Sequence, residues 1–346
     1  MRVLIYGDSR YASGGWCYGR SFSAMGHDVT HFSDPENAGQ FRSLPLRAYK
    51  RLFRRLPHQL RARHLSELMQ TVSQVRPHIL IVLKGLHISA DDIAELKRSC
   101  GWVININHDD FFSYNHSNWS PIQRAAIPAY DYVFVTRRVN VREVMPLNPR
   151  VEFFPFAFSP EIHRVVNVGV DDVETFANDV VFIGTWERSR AELLEHLVGN
   201  LNVRVGIYGS QWSKLPTRSP LRGLVRGDGV FGDEMCTLIG GAKVALGFLR
   251  KENRDEYTQR TFEIPACGGV FLAERTDEHI RIYREGIEAD FFDPNDFNEF
   301  LSKVRSLLDN PERRESIRAQ GKAAVLRGGY TYDDRVNQLL AHYDSF

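Results

Sequence analysis

Cysteine is sparse in this chain and long apolar runs are missing from it. Cys17, Cys100, Cys236 and Cys267 are its four cysteines, far apart and without a C-x-x-C spacing. Neither a zinc site nor a disulfide framework is expected, and a reducing cytoplasm is the expected compartment. Uninterrupted aliphatic stretches such as Ile79–Leu83 reach five residues, far short of the roughly 20 needed to cross a bilayer. The start, one Arg and four apolar residues before Gly7-Asp8, is too short for a signal-peptide core. Net charge is lacking as well. Lys and Arg number 44 against 43 Asp and Glu, leaving +1, so no bulk basic field points to nucleic acid. A G-x-G-x-x-G dinucleotide fingerprint is absent from the first turn, which reads Gly7-Asp8-Ser9-Arg10-Tyr11-Ala12-Ser13-Gly14-Gly15.

What is present is an ordinary globular composition, 43% hydrophobic and 25% charged, which excludes a mostly disordered chain. At about 100–200 residues per domain, 346 residues make two domains. Short apolar runs ending in polar turns recur along the chain, the pattern of buried parallel strands alternating with helices. In the first half the runs are Val3–Tyr6, Val29–Phe32, Ile79–Leu83, Trp102–Ile106, Tyr132–Val135 and Val151–Phe154. A first helix closes over Ser21–Met25, with Gly26 as its stop. Another starts at Ser89, with Asp91 and Asp92 in its first turn and Lys97 and Arg98 in its last, as the helix dipole prefers. Residues 157–178 read as a linker. The rhythm then restarts with strand Val180–Ile183, helix Arg188–Leu197, strand Val203–Tyr208, strand Ala242–Gly247, helix Gln259–Ala266 and strand Val270–Ala273. This predicts an α/β architecture of two doubly wound parallel sheets facing a cleft, a usual place for a small-molecule site.

The chemistry concentrates in Leu249–Gly269, LRKENRDEYTQRTFEIPACGG. Arg250, Lys251, Arg254 and Arg260 put four cations in eleven residues, and Asp255 and Glu263 are separated by seven. Glu263 sits in an otherwise small, apolar helical segment, where a carboxylate is costly without hydrogen-bond partners. Vicinal ribose hydroxyls supply two donors, and Arg or Lys supply charge to a diphosphate. The alternative is a structural ion pair with Arg260, three residues earlier.

The segment RTFEIPACGGVFLAE, followed by Glu285-Gly286 and Phe291-Phe292, resembles the C-terminal half of GT-B glycosyltransferases, and within them the spore-maturation (CgeB-like) branch of the retaining, family-four-like transferases. YDYVFVTRRVNV, VEFFPFAFSPEIH and VVFIGTWERSRAELLEHL fit as well, so the resemblance covers roughly residues 100–340. It implies a nucleotide-sugar donor domain at 176–329 and an acceptor domain at 1–160, joined by a C-terminal helix over 333–346. It also implies transfer of a sugar from a nucleoside diphosphate, with uridine as base, to an unknown acceptor, with retention and without a metal or other cofactor.

Related transferases carry an E-x7-E pair whose second Glu grips the donor ribose and whose first touches the donor sugar. Glu263 matches the second and Asp255, one methylene shorter, falls at the first; Arg260 and Thr261 belong to the same donor site. Relatives place an Arg and, five residues on, a Lys at the first strand–helix turn of the donor domain. Thr185 and Arg190 stand there instead. Arg188, Arg250 or Lys251 could restore the missing charge against the leaving diphosphate. The turns Gly184-Thr185 and Gly209-Ser210 are expected donor-loop contacts. Tyr208, Gly209 and Trp212 either flank the base or pack in the core.

In the first half, His108 and Asp109 follow a strand and match the place where relatives put a His near the donor sugar; the alternative is a structural His. His108-Asp109-Asp110 offers metal-ligand types, but the tract holds no D-x-D. Gly14 and Gly15 would allow close approach of sugar or phosphate. Phe41–His64 holds eight Lys and Arg and no acid, interleaved with leucines. It reads either as a solvated helix face or as a peripheral contact with anionic lipid, and Pro45 and Pro57 limit any continuous helix there to about ten residues. Two other functions fit the same residues: a sugar-nucleotide-binding or coat-assembly protein without turnover, favoured by Thr185 and Asp255, and a sugar-nucleotide epimerase using Asp109 or Asp110. Finally, Val336, Leu339, Leu340 and Tyr343 form an apolar stripe at helical spacing. A helix over 333–346 is expected to return to the N-terminal domain, giving two passages of the chain between domains.

Overall fold

The computed structural model describes residues 1–37, 56–113, 118–166 and 178–345. Residues 41–55 of the basic stretch and 167–177 of the expected linker lie outside them. The chain forms two compact units. The first comprises Met1–Phe156, Lys251–Arg254 and Tyr332–Phe346, and the second Ala157–Arg250 and Asp255–Thr331. Beyond the two expected passages, the four-residue excursion 251–254 adds two more, out and back.

Among the described residues, the first unit holds six parallel strands: β1 Arg2–Tyr6, β2 Asp28–Phe32, β3 Ile79–Leu83, β4 Trp102–Asn107, β5 Tyr132–Val135 and β6 Val151–Phe153. Their order is β2-β1-β3-β4-β5-β6. The apolar runs are strands because both faces are covered: every residue of β4 and the first four of β3 are buried. Helix α1 (Gly14–Ala24) follows β1, capped by the Ser13 hydroxyl and ended before Gly26, which takes φ +80°.

Helix α2 (His58–Val75) begins directly after Pro57, which precedes it as cap, where a missing N–H costs nothing; the expected limit on a helix between Pro45 and Pro57 falls on residues that lie, up to 55, outside the described ones. Helix α3 (Ala90–Leu96) starts after Ser89 as expected, and Ser89 and Asp92 form a capping box. It stops before Lys97 and Arg98, so neither lies in its last turn; Lys97 instead pairs with Asp131 at 2.6 Å. Helices α4 (Pro121–Ala126) and α5 (Arg138–Val144) flank β5.

The second unit repeats the plan with β7 Val180–Ile183, β8 Val205–Tyr208, β9 Val225–Gly227, β10 Val244–Gly247, β11 Phe271–Glu274 and β12 Asp290–Phe292. Their order is β12-β11-β10-β7-β8-β9, with parallel pairing throughout. Its helices are α6 (Arg188–Asn200), α7 (Gly232–Gly241), α8 (Arg260–Ala266), α9 (Asp277–Ile282), α10 (Phe297–Asp309) and α11 (Pro311–Arg327). Cys236 of α7 and Cys267 after α8, distant in sequence, lie with their Sγ atoms 3.1 Å apart as free thiols.

Helix α12 (Tyr332–Asp344) belongs to the first unit and packs on α1. Val336 and Leu339 are wholly buried, while Leu340 is only part-buried. The Tyr332 ring meets Tyr18 at 4.9 Å and Tyr343 meets Trp102 at 5.8 Å. Gln338 donates to Glu152 at 2.6 Å, and His342 lies 2.5 Å from the other oxygen of that carboxylate. Truncating a buried leucine costs its transfer energy plus the cavity it leaves, about 2–5 kcal/mol. Leu339→Ala is expected to lose that much in urea unfolding; a loss below about 0.5 kcal/mol would contradict the packing.

Candidate functional site

Numbered from its own first strand, the second sheet runs 3-2-1-4-5-6, and its order reverses between β7 and β10. Open α/β sheets bind ligands at the carboxyl ends of strands beside such a reversal. The expected donor loops lie there. Gly184 N–H donates to Tyr208 O at 2.8 Å, Trp186 N–H to Ser210 O at 2.9 Å, and the Thr185 and Ser210 hydroxyls are 3.1 Å apart. Gly209 takes φ +141°, and a Cβ there would lie 2.0 Å from Gly184 O, so only glycine permits this approach. Trp212 is buried and donates its indole N–H to Gly184 O, a packing position rather than an open face for a base. Tyr208 is part-buried.

The cations take individual places. Arg190 does not present a free charge. It is buried and donates to the main-chain oxygens of Thr185 (2.9 Å), Phe248 (3.0 Å) and Leu249 (3.3 Å), tying the loop after β7 to the loop after β10. Arg250 donates to Glu187 at 2.6 Å. Arg188 is exposed and pairs with Glu192. Lys251 is exposed and falls in the first unit, whereas Arg250 belongs to the second. Arg254, counted among the same cations, also falls in the first unit. It grips Asp110 (2.5 and 2.8 Å) and Glu143 (2.8 Å), while Asn253 accepts from the Asp110 N–H and from Asn118, both at 3.0 Å. Burial works to raise the Asp110 carboxyl, but the bonds from Arg254 and Asn140 outweigh it and hold it below the usual range. That commitment sets Asp110 apart from acid–base or metal work, and no cluster of three or more potential metal ligands occurs among the described residues.

Helix α8 carries Glu263. Seven residues long, it contains Pro265, whose missing N–H leaves the carbonyl of Thr261 without its helical donor. The buried Tyr283 hydroxyl donates to that carbonyl at 2.9 Å. The helix ends with Gly268 N–H on Pro265 O and Gly269 N–H on Ile264 O, the paired bonds of a Schellman stop, with Gly268 at φ +76°. Thr261, expected at the ligand, is buried: His279 gives its Nδ1 proton to Glu274 O (2.7 Å), so its Nε2 accepts from the Thr261 hydroxyl (2.9 Å).

Glu263 is 3% exposed. One oxygen takes the Arg260 guanidinium, as the structural alternative foresaw. Arg260 also donates to Ile183 O at the end of β7 (3.2 Å), which sets Glu263 at the reversal point. The other oxygen lies 3.2 Å from His163 Nε2. Sequence reasoning missed His163, although it quoted its segment. Asp255, the other half of the pair, is part-buried, with its N–H on Arg250 O at 3.3 Å.

In the first unit the sheet reverses between β1 and β3. Gly15 lies over the end of β1, where a Cβ would be 2.2 Å from Asp8 O; Gly14 faces His108, and a Cβ there would lie 3.4 Å from its ring. His108 stacks on Tyr18 (centroids 6.1 Å), and the Tyr18 hydroxyl is 3.4 Å from Nε2. Burial drives His108 down to about 4, Asp109 opposes this and Arg137 adds to it. Asp109 pairs with Lys84 at 2.7 Å. Lys84 is a second missed residue. It takes φ +62°, with its carbonyl held by Gln123 (2.6 Å) and Asn105 (3.2 Å). Its only sequence signal is its place between β3 and Gly85.

Residues 188–341 match the family described as Glycosyl transferase-like. No curated protein matches the chain in sequence. Among solved structures, sucrose-phosphate synthase from Thermosynechococcus elongatus is similar with TM-score 0.70 at 12% identity, over 100% of this chain and 98% of that one. Anabaena Alr3699/HepE in complex with UDP-glucose gives 0.67 at 12% identity, over 99% and 100%. The glycosyltransferase from Rickettsia africae gives 0.67 at 10%, over 99% and 98%. The fold is therefore that of GT-B glycosyltransferases, and the larger part of the second unit, continuing into the terminal helix, is glycosyl transferase-like.

Two outcomes test this geometry. Tyr283→Phe strands a buried carbonyl and is expected to cost about 1–3 kcal/mol in urea unfolding; an unchanged midpoint would show that water replaces the hydroxyl. His108 and His279 are both held near 4, principally by burial, against 6.5 unfolded. Between these values the unfolded chain binds more protons. Their contribution is therefore complete above pH 6.5 and is lost as pH falls toward 4, by up to about 1.4 kcal/mol per pH unit for each. Unfolding free energies at pH 7, 6 and 5 should decline accordingly, and a flat profile would mean that both rings are hydrated.

Proposed function

We propose that this chain is a glycosyltransferase that takes a sugar from a nucleoside diphosphate, with uridine diphosphate as carrier, and belongs to the CgeB-like branch its motifs resemble. The observation that carries the reading is Glu263. A buried carboxylate is held by Arg260 and His163 at the reversal point of a nucleotide-binding type of sheet, beside two glycine turns. Each oxygen keeps a lone pair after one protein bond, which suits a vicinal ribose diol. Anabaena HepE has been solved with UDP, with UDP-glucose, and with UDP and glucose, which supports the same donor class here.

In this reading the second unit binds the donor and the first the acceptor. The turns at Gly184-Thr185 and Gly209-Ser210 line the nucleotide, and Arg190 holds the first of them to the loop after β10. Arg250, Arg188 and Arg260 are the cations near the diphosphate. His108, neutral at working pH, hydrogen-bonds the sugar, and Asp109 lies beside it. The bond from the anomeric carbon to the phosphate oxygen breaks with its electron pair going to the phosphate. The acceptor oxygen bonds to that carbon on the same face and passes its proton to the leaving phosphate, so configuration is retained without a protein nucleophile or a metal. Cations set in advance against the leaving group stabilise the charge that develops.

The internal engagement of Arg190 and Arg250 favours one second reading, a sugar-nucleotide-binding protein without transfer. Release of UDP from UDP-sugars, with and without added acceptor sugars, separates the two.

Glu263→Gln keeps shape and removes charge. It is expected to weaken UDP binding by about 1–3 kcal/mol, roughly 5- to 150-fold in Kd by calorimetry. Unchanged affinity alongside lower stability would make Glu263 only the structural partner of Arg260 and His163.

A further inference from the structure

Glu263 is held from two elements. Arg260 is on its own helix, three residues earlier; its side chain is 26% exposed and has the torsional freedom to turn toward a bound phosphate. His163 has no such freedom. Its side chain is 3% exposed and its backbone closes a turn, with His163 N–H donating to Ser159 O at 2.7 Å. The Ser159 N–H donates to Nδ1 at 3.0 Å. That bond fixes the tautomer: the ring proton resides on Nε2, 3.2 Å from Glu263 Oε1. The ring thus cannot rotate without losing a bond at each nitrogen.

We infer that His163 is a positioning residue for the nucleotide ribose, fixing the plane of the Glu263 carboxylate so that its remaining lone pairs meet the vicinal diol. The inference rests on the reading of Glu263 as the ribose carboxylate. It adds that the segment entering the second unit, and not α8 alone, builds the ribose site. The groups acting on the ring are Glu263 and Arg260 of α8 and the Ser159 main chain. Burial moves His163 below its ordinary value, Glu263 opposes this and Arg260 adds to it. A neutral imidazole donates one directed bond without cancelling the carboxylate charge, which a lysine there would do. A carboxylate held at both oxygens is pre-organised, so binding the diol need not order it.

The test is ribose discrimination, measured as the ratio of Kd values for 2′-deoxy-UDP and UDP by calorimetry on the full chain. In the wild type, UDP is expected to bind about tenfold tighter, the worth of one hydrogen bond to a charged group. His163→Ala and His163→Asn, whose amide is too short to reach Oε1, should lose most of that ratio. His163→Gln, which can place an N–H where Nε2 was, should retain it to within about threefold. A merely structural histidine would lower the melting temperature in all three variants and leave the ratio at its wild-type value, which overturns the inference. Should His163→Ala not fold, the comparison of Asn with Gln carries the same decision. Glu263→Gln separates the two levels. If it keeps the ratio, or if the wild type has none, the ribose reading fails and the inference with it. If Glu263→Gln loses the ratio while His163→Asn keeps it, the inference alone fails.

Discussion

A carboxylate buried in a seven-residue helix is the constraint around which the second unit is arranged. Desolvating Glu263 is affordable only with donors at both oxygens, and the helix that carries it is too short to be stable by itself. Both needs are met from outside the helix. Tyr283 supplies the donor that Pro265 cannot, His279 anchors Thr261, and Gly268 and Gly269 close the last turn. His163 and Arg260 hold the carboxylate, and Arg260 reaches on to the end of β7. A surface ion pair would be worth little; this one is buried and sits at the reversal of the sheet.

Arg190 does for the loops what His163 does for the carboxylate. Three carbonyls from two loops converge on one guanidinium, whose planar fork matches several acceptors at fixed angles. Its burial makes the charge a brace between the loops after β7 and β10. In the first unit Arg254 plays a comparable part, binding Asp110 and Glu143 and so securing the Lys251–Arg254 segment in that unit. The cation-rich tract, which reads as one patch along the sequence, is thus divided between the two units.

The strands were legible because burial on both faces leaves an unbroken apolar run, as in Ile79–Leu83 and Trp102–Ile106. Helix α12 was legible for a related reason: Val336 and Leu339 repeat at the spacing that makes one buried face. Boundaries set by capping chemistry could be read within a few residues, as at Ser89 and Gly26. Where a polar side chain found its partner elsewhere, as Lys97 did with Asp131, the local dipole argument placed it wrongly.

Residue types and spacing alone determined that two α/β sheets would form and that a carboxylate at position 263 would need partners in its helical, mostly apolar segment. Periodicity and local composition act between neighbours along the chain, so a single sequence displays them. The partners of the site were decided only by the tertiary structure. His163 lies 100 positions from Glu263, Lys84 lies 25 from Asp109, and Arg254 lies 144 from Asp110. Hydrogen bonds depend on direction and distance in space, and those were set when the parallel sheets closed and brought the carboxyl ends of distant strands side by side.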